Sequence, residues 1–346
     1  MKRLLVLYRE LAGYFVNTMN HLANEYNFEI DIVAYPVKSD APFRFEFSKN
    51  IRLHSRTELS SVDLLSLSKS KSFDLIFCGG WSDRDYLNVV KANPKVTSLI
   101  GFDKQWLGSW RDVLGVLYLR LNVRSYFNYA FVPGREQAQF ARYMGFEDDK
   151  IYTGAYTCES ERFTRIYQKR KNKPLSNNLV YAGRYASEKQ VVLLWNVFLE
   201  LSSEFPDWKL HCIGTGSLSS QAPQHPQIVH HGFMQGEELD KIMIEGDIFI
   251  LASSYEPWGV VVNEFALAGY PLILSNRVGA RTALLDQQSG WEFDYRSKED
   301  MKDKMRKAMR SSEAELRKMG EHAHQMSRVL DEKQYTASLL RMIESA

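Results

Sequence analysis

Cysteine is scarce: three in 346 residues, Cys78, Cys158 and Cys212, far apart and without a CxxC pair. That excludes a disulfide framework and offers no zinc-knuckle spacing, so a reducing compartment is expected. No apolar run approaches the ~18 residues needed to cross a bilayer. The opening segment MKRLLVLYRELAGY is interrupted by Arg9 and Glu10 and reads as a buried strand rather than the core of a signal peptide. A cytoplasmic chain is expected, with peripheral contact to the inner face of a membrane left open. A formal net charge of +2 is too small to point to nucleic acid. Internal repeats, low-complexity segments and an aspartate-rich metal motif are all missing from the sequence.

What remains is an ordinary globular composition, 45% hydrophobic and 25% charged, on a chain long enough for two domains of about 150 residues each. Short apolar runs alternate with longer amphipathic ones, the pattern of parallel sheets covered by helices. In the first half, strands are expected at Arg3–Tyr8, Phe28–Ala34, Phe73–Cys78, Thr97–Gly101 and Tyr129–Val132. The second half restarts the pattern at Asn178–Ala182, Lys209–Ile213, Ile228–His231, Asp247–Leu251 and Pro271–Ser275. Between the halves, Arg165 to Asn178 alternates basic and polar residues around Pro174 and reads as an exposed linker. From Ser297 onward, helical periodicity predicts one or two closing helices. The expected architecture is α/β, with two Rossmann-like doubly wound domains facing a central cleft: residues 1–168, residues 176–328, and a final helix over 329–346 that packs back on the first domain. Ligands of such sheets bind beyond the carboxyl ends of the strands, so chemistry is sought there.

Three segments of the second half carry it. After NLVYAG come Arg184 and Lys189, a planar fork of donors and a compact point charge, together well matched to a diphosphate. Read alone, Glu188 and Lys189 serve equally as first-turn helix charges. After KLHCI, Gly214-Thr215-Gly216-Ser217 permits a tight turn or a close approach of backbone to ligand. The dinucleotide fingerprint fails there, because it would need glycine at Ser219. The strongest segment is DIFILASSYEPWGVVVNEFALAGYPLILSNRVG, Asp247 to Gly279. A buried strand ends at Ser253 and Ser254, and Pro257 stands where a helix begins without losing a donor. Gly259 lets a ligand approach the helix N-terminus, a ready site for phosphate. Glu256 precedes that helix and Glu264 lies on its second turn. Carboxylates beside a phosphate site would repel the anion unless they bind hydroxyls, and those of a ribose and a hexose are natural partners.

Glu256 and Glu264 stand seven residues apart in E-P-W-G-V-V-V-N-E. This resembles the E-x7-E motif of retaining glycosyltransferases of the GT-B fold, especially glycosyltransferase family 4. G-R-Y-A-S-E-K is similar to that family's G-R-x-x-x-E-K segment, H-C-I-G-T-G-S to its strand and glycine turn, and V-H-H-G-F-M to its strand before the nucleotide loop. The resemblance implies an acceptor-binding first domain and a second domain that binds a UDP- or GDP-linked sugar as co-substrate, with no further cofactor and no metal. It implies that Arg184 and Lys189 hold the diphosphate and that Glu264 binds the ribose. Glu256 would contact the transferred sugar, the backbone of Trp258, Gly259 and Val260 would cap the phosphates, and Phe233 and Met234 would flank the base. Gly214 belongs to the same donor set, and Gly13, after the first strand, either makes the turn or approaches the phosphates from the other domain.

The acceptor half matches only in outline. Its histidines, His21 and His54, read as structural. At strand ends stand Trp81 with Asp83 and Asp103 with Trp106, where aromatic faces stack on sugars and carboxylates accept hydroxyl bonds. Helix capping by the acids and core anchoring by the tryptophans is the competing reading. The stretch Trp106 to Phe127, rich in aromatic and aliphatic residues with Arg111, Arg120 and Arg124, is expected as a buried helix with snorkelling arginines rather than an interfacial one. The resulting expectation is a metal-independent, retaining hexosyltransferase acting on a saccharide or lipid-linked saccharide, in surface polysaccharide assembly. A sugar-nucleotide epimerase and a non-catalytic sugar-nucleotide-binding protein are the alternatives.

Overall fold

The computed structural model describes residues 1–37 and 44–345. They form two compact units, Met1–Cys158 with Leu330–Ala346, and Glu159–Val329.

In the first unit the chain runs β1 (Lys2–Tyr8), α1 (Gly13–Glu25), β2 (Phe28–Ala34), β3 (Ile51–Ser55), α2 (Ser61–Lys69), β4 (Leu75–Gly79), α3 (Arg84–Ala92), β5 (Thr97–Gly101), α4 (Trp110–Asn122), β6 (Tyr129–Val132), α5 (Arg135–Tyr143) and β7 (Ile151–Thr153). Its seven-stranded sheet has the order β3-β2-β1-β4-β5-β6-β7, and every pairing is parallel. Successive side chains of a strand point to opposite faces. Leu5 and Leu7 accordingly enter one core with α2, α3, α4 and α5, while Leu4 and Val6 enter the other with α1. Continuous apolar strands of this kind belong in sheets buried on both faces.

The second unit runs α6 (Ser160–Arg170), β8 (Asn178–Ala182), α7 (Val191–Leu201), β9 (Lys209–Ile213), β10 (Ile228–Gly232), α8 (Glu237–Glu245), β11 (Ile248–Leu251), α9 (Val260–Leu267), β12 (Leu272–Ser275), α10 (Arg281–Leu284), β13 (Gly290–Phe293), α11 (Lys298–Arg310) and α12 (Glu313–Ser327). Its six parallel strands have the order β10-β9-β8-β11-β12-β13. A last helix, α13 (Glu332–Glu344), returns to the first unit, where Tyr335, Leu339 and Met342 are buried in the same core as α1; Ala346, the end of the segment expected to make that return, lies outside the described residues. In both sheets the strand order reverses at one place, between β1 and β4 and between β8 and β11. These are the topological switch points at which doubly wound sheets open a crevice.

Three strands escape the sequence pattern: β3, β7 and β13. All three are sheet edges, short, and without a continuous buried run. The expected linker also differs. Its first residues complete α6, whose Phe163 and Ile166 are buried. Arg170 is no solvated linker charge: it stacks 3.5 Å over the Tyr270 ring and donates to the carbonyls of Gly246, Ala268 and Gly269. Three helices, not one or two, follow Ser297. The Trp106–Phe127 stretch buries only one side of α4; Leu121 is 71% and Trp110 68% exposed.

Candidate active site

At the switch point of the second sheet, β8 and β11 run side by side, so the loops after them meet. After β8 the backbone turns through Gly183, Arg184 and Tyr185 into one turn of 3-10 helix, Ser187–Lys189, and Gln190 takes a left-handed φ of +50° before α7. After β11 the chain passes Ser253 and Ser254 to Glu256. Ser254 donates its backbone N–H to the Glu188 carbonyl at 2.7 Å, which pins one loop to the other. Across that junction Lys189 is ion-paired with Glu256, both side chains largely withdrawn from solvent at 14% and 13% exposure. Arg184 lies outside the pair at 57% exposure, held by Glu188 at 3.1 Å. Two cations and a shielded carboxylate are thereby concentrated at the crevice.

The Glu256 loop is fixed from its other side as well. Glu256 N–H donates to Arg277 carbonyl at 3.2 Å, Gly279 N–H to Glu256 carbonyl at 3.0 Å, and Ala280 N–H to Trp258 carbonyl at 2.9 Å. Trp258 is 1% exposed, so its indole anchors the loop and only its backbone is available to a ligand. Gly259, at φ +91°, caps α9 with no side-chain acceptor and no acid in the first turn. A Cβ at that position would come within 3.0 Å of Glu256 Cγ. Glycine therefore leaves the amide end of α9, beginning at Val260, uncapped beside the Lys189–Glu256 pair, where the helix dipole favours negative charge.

Glu264 is half-buried one turn further along α9. Burial pushes its carboxyl up to about 7, with Arg162 pulling it down and Glu159 adding a smaller upward push. Arg162, on α6, is itself held by Asp240 at 2.6 Å and Glu159 at 3.2 Å. Sequence reasoning missed this network. Arg162 sits more than a hundred positions before its charge partner on α9, in a helix that shows only an amphipathic pattern.

Gly214 has a different first duty from the one expected. The loops after β8, β9 and β10 are joined by Gly183 N–H to Ile213 carbonyl, Tyr185 N–H to Thr215 carbonyl and Gly214 N–H to Gly232 carbonyl. With φ +132°, Gly214 passes so close that a Cβ would lie 2.0 Å from the Gly183 carbonyl oxygen. Phe233 and Met234 follow β10 and are half-buried. Buried Ser253, whose Oγ has no hydrogen-bond partner, lies in the loop after β11.

In the first unit Gly13 begins α1 with open space where a Cβ would stand. Asp83 is a structural acid. It caps α3 by accepting from Asp85 and Tyr86 amides, and its other oxygen takes Tyr35 hydroxyl at 2.9 Å and Arg56 Nε at 3.1 Å. Trp81 lies parallel to Phe140 at 6.0 Å and edge-on to Phe102 at 5.4 Å; Trp106 meets Tyr143 at 4.4 Å. Both indoles pack on the core, half-buried. His54 is bonded to Asp31 at 2.9 Å, and His21 meets the Tyr26 ring edge-on. What the sequence concealed is a phenol cluster: Tyr8, Tyr14 and Tyr156 share side-chain hydrogen bonds within the field of Asp103, and burial pushes Tyr8 up to about 12 and the other two well above their ordinary range. The cluster stands where β1, β5 and β7 end.

Among the described residues no group of three or more His, Cys, Asp or Glu side chains is placed to hold a metal ion.

Residues 163–326 match the family model for glycosyl transferases group 1. Among curated proteins the chain is 26% identical to sulfoquinovosyl transferase SQD2 of Arabidopsis thaliana, over 41% of this chain and 27% of that protein. It is 33% identical to glycogen synthase of Mycobacterium tuberculosis, over 32% of this chain and 29% of that protein. The chain thus spans less than a third of the length of these relatives. Solved structures resemble it end to end. Sucrose-phosphate synthase from Thermosynechococcus elongatus has a TM-score of 0.75 at 13% identity, and Anabaena HepE in complex with UDP and glucose 0.71 at 12%, each over 100% of both chains. These likenesses define the fold as two Rossmann-like domains of the GT-B kind.

Gly214→Ala is expected to cost about 2 kcal/mol or more, because a left-handed backbone and a carbonyl contact both oppose the new methyl. The urea midpoint of unfolding checks it, and an unchanged midpoint would contradict the loop geometry.

Proposed function

We propose that this chain is a retaining glycosyltransferase that moves a hexose from a nucleoside-diphosphate donor to a hydroxyl of a saccharide or lipid-linked saccharide. The observation that carries the reading is the shielded Lys189–Glu256 pair at the switch point of the second sheet, beside Arg184 and the uncapped start of α9. The match of this half of the chain to the group 1 model supports it.

The donor diphosphate lies against Arg184, Lys189 and the α9 amides, which replace its hydration with fixed positive charge. Arg184 is exposed enough to leave Glu188 for a phosphate oxygen. Lys189 exchanges part of its contact with Glu256 for the phosphate, and the released carboxylate accepts hydroxyls of the hexose. Glu264 accepts the ribose hydroxyls, and Phe233 and Met234 flank the base. As the bond between the anomeric carbon and the phosphate oxygen breaks, the acceptor oxygen bonds to that carbon from the same face. The acceptor proton passes to the departing phosphate oxygen, so no separate base is required. The cations and helix dipole supply the charge stabilisation that a divalent ion would otherwise give, and the reaction is assigned as metal-independent. The first unit is assigned the acceptor, with Asp103, Trp81 and Trp106 as its candidate contacts and surface polysaccharide assembly as the setting.

Two outcomes follow from these roles. Glu256→Ala abolishes transfer while changing UDP or GDP affinity little, whereas Arg184→Ala and Lys189→Ala each weaken nucleotide binding roughly tenfold, the scale of one charge-assisted contact. Calorimetry and an activity assay read the split; normal turnover in Glu256→Ala would remove its assigned role.

The pH dependence has a definite sign. The Glu264 carboxyl is raised to about 7 in the protein, and accepting ribose hydroxyls favours its ionised form, so nucleotide binding releases a proton. Affinity should rise with pH, by up to roughly tenfold per unit, below about 7 and level off above it. Glu264→Gln should flatten the profile. An equal slope in wild type and variant would exclude Glu264 from the binding step.

A further inference from the structure

Helix α4 presents an apolar face to solvent. Trp110, Val113, Leu114, Leu117, Tyr118 and Leu121 are between 52% and 71% exposed. At 3.6 residues per turn they fall on one continuous arc. The opposite arc, Val116 and Leu119, is buried against the first unit's sheet. A contiguous exposed face of this kind marks an interaction surface.

The charges around it identify the occupant. Arg111 and Arg120 are exposed and stand one on each flank of the apolar arc, Arg111 lying 5.4 Å over the Trp110 ring. The only acid of the helix, Asp112, is turned inward, capping with Ser109 and paired with Lys104 at 2.9 Å. In the turn near the far end of the helix, Asp148 answers Arg142 and Asp149 answers Lys150. The outward face of α4 is therefore apolar with a cation along each edge and no carboxylate. Two copies joined through this face would bring arginine against arginine, whereas lipid phosphates complement both edges at once.

We infer that α4 is an interfacial helix that seats the first unit on a bilayer containing anionic lipid, with the apolar arc at the acyl boundary and Arg111 and Arg120 at the phosphates. Among the described residues no helix is long and apolar enough to cross a membrane, so the contact is made by a helix lying in the interface plane. The inference stands apart from the donor chemistry, since its readout is lipid binding alone.

The test is co-sedimentation of the full chain with vesicles of phosphatidylcholine, with and without phosphatidylglycerol. Binding to the anionic vesicles is expected, falling roughly tenfold or more in Leu117→Asp/Leu121→Asp as apolar burial is lost. Arg111→Gln/Arg120→Gln should weaken it severalfold and remove most of its salt dependence. All four side chains are solvent-exposed, so unchanged circular dichroism and thermal midpoint show the variants folded. Absence of binding by wild type, or equal binding by the aspartate variant, overturns the proposal. So does a wild-type dimer in ultracentrifugation that Leu117→Asp dissociates without any vesicle binding, since a second copy would then cover the face.

Discussion

The site depends on one ion pair, Lys189 with Glu256, made between residues 67 positions apart. Both side chains are largely withdrawn from solvent, and each offsets part of the other's desolvation cost. What brings them together is the parallel pairing of β8 with β11 at the point where the strand order reverses. What holds them is backbone: the Glu188 carbonyl accepting from Ser254, and the Arg277–Ala280 segment stitched to Glu256 and Trp258. The pair is thus prepositioned by hydrogen bonds that do not involve either charged group.

That construction explains which parts were legible in the sequence. Interior strands are mostly buried, so β2, β5, β6, β8 and β9 stand where the short apolar segments between amphipathic ones place them. Edge strands contact the sheet on one side only; β3, β7 and β13 lack a continuous buried run and left little trace, whereas β10, also an edge, stands where Ile228–His231 places it. Arg170 misled for a related reason: a basic residue among lysines looks solvated until a ring and three carbonyls close around it. In the second unit, strand, loop, proline, glycine and helix are local in sequence, so Glu256, Gly259 and Glu264 could be read as one candidate site. Arg162, which sets the charge environment of Glu264, belongs to it only through the packing of α6 against α8 and α9.

The first unit shows the converse. Its candidate acid Asp83 is occupied by a helix cap, a tyrosine and an arginine, while Asp103 lies in the field of three half-buried phenols gathered from the ends of β1 and β7 and the start of α1. A tyrosine in an apolar strand reads as core in any sequence. Its polar end becomes visible only when the topology collects several at one edge of a sheet. Helix α4 likewise reads as buried by composition, and only its packing shows that the apolar residues divide into an inward and an outward set.

The most direct test is to incubate the chain with UDP- and GDP-hexoses, with and without saccharide acceptors. Nucleotide release is followed together with the anomeric configuration of the liberated or transferred sugar by proton NMR. Slow release with retained configuration is the expected result. Tight binding without release, interconversion of the sugar while still attached to the nucleotide, or an inverted product would contradict a retaining transfer centred on the Lys189–Glu256 pair.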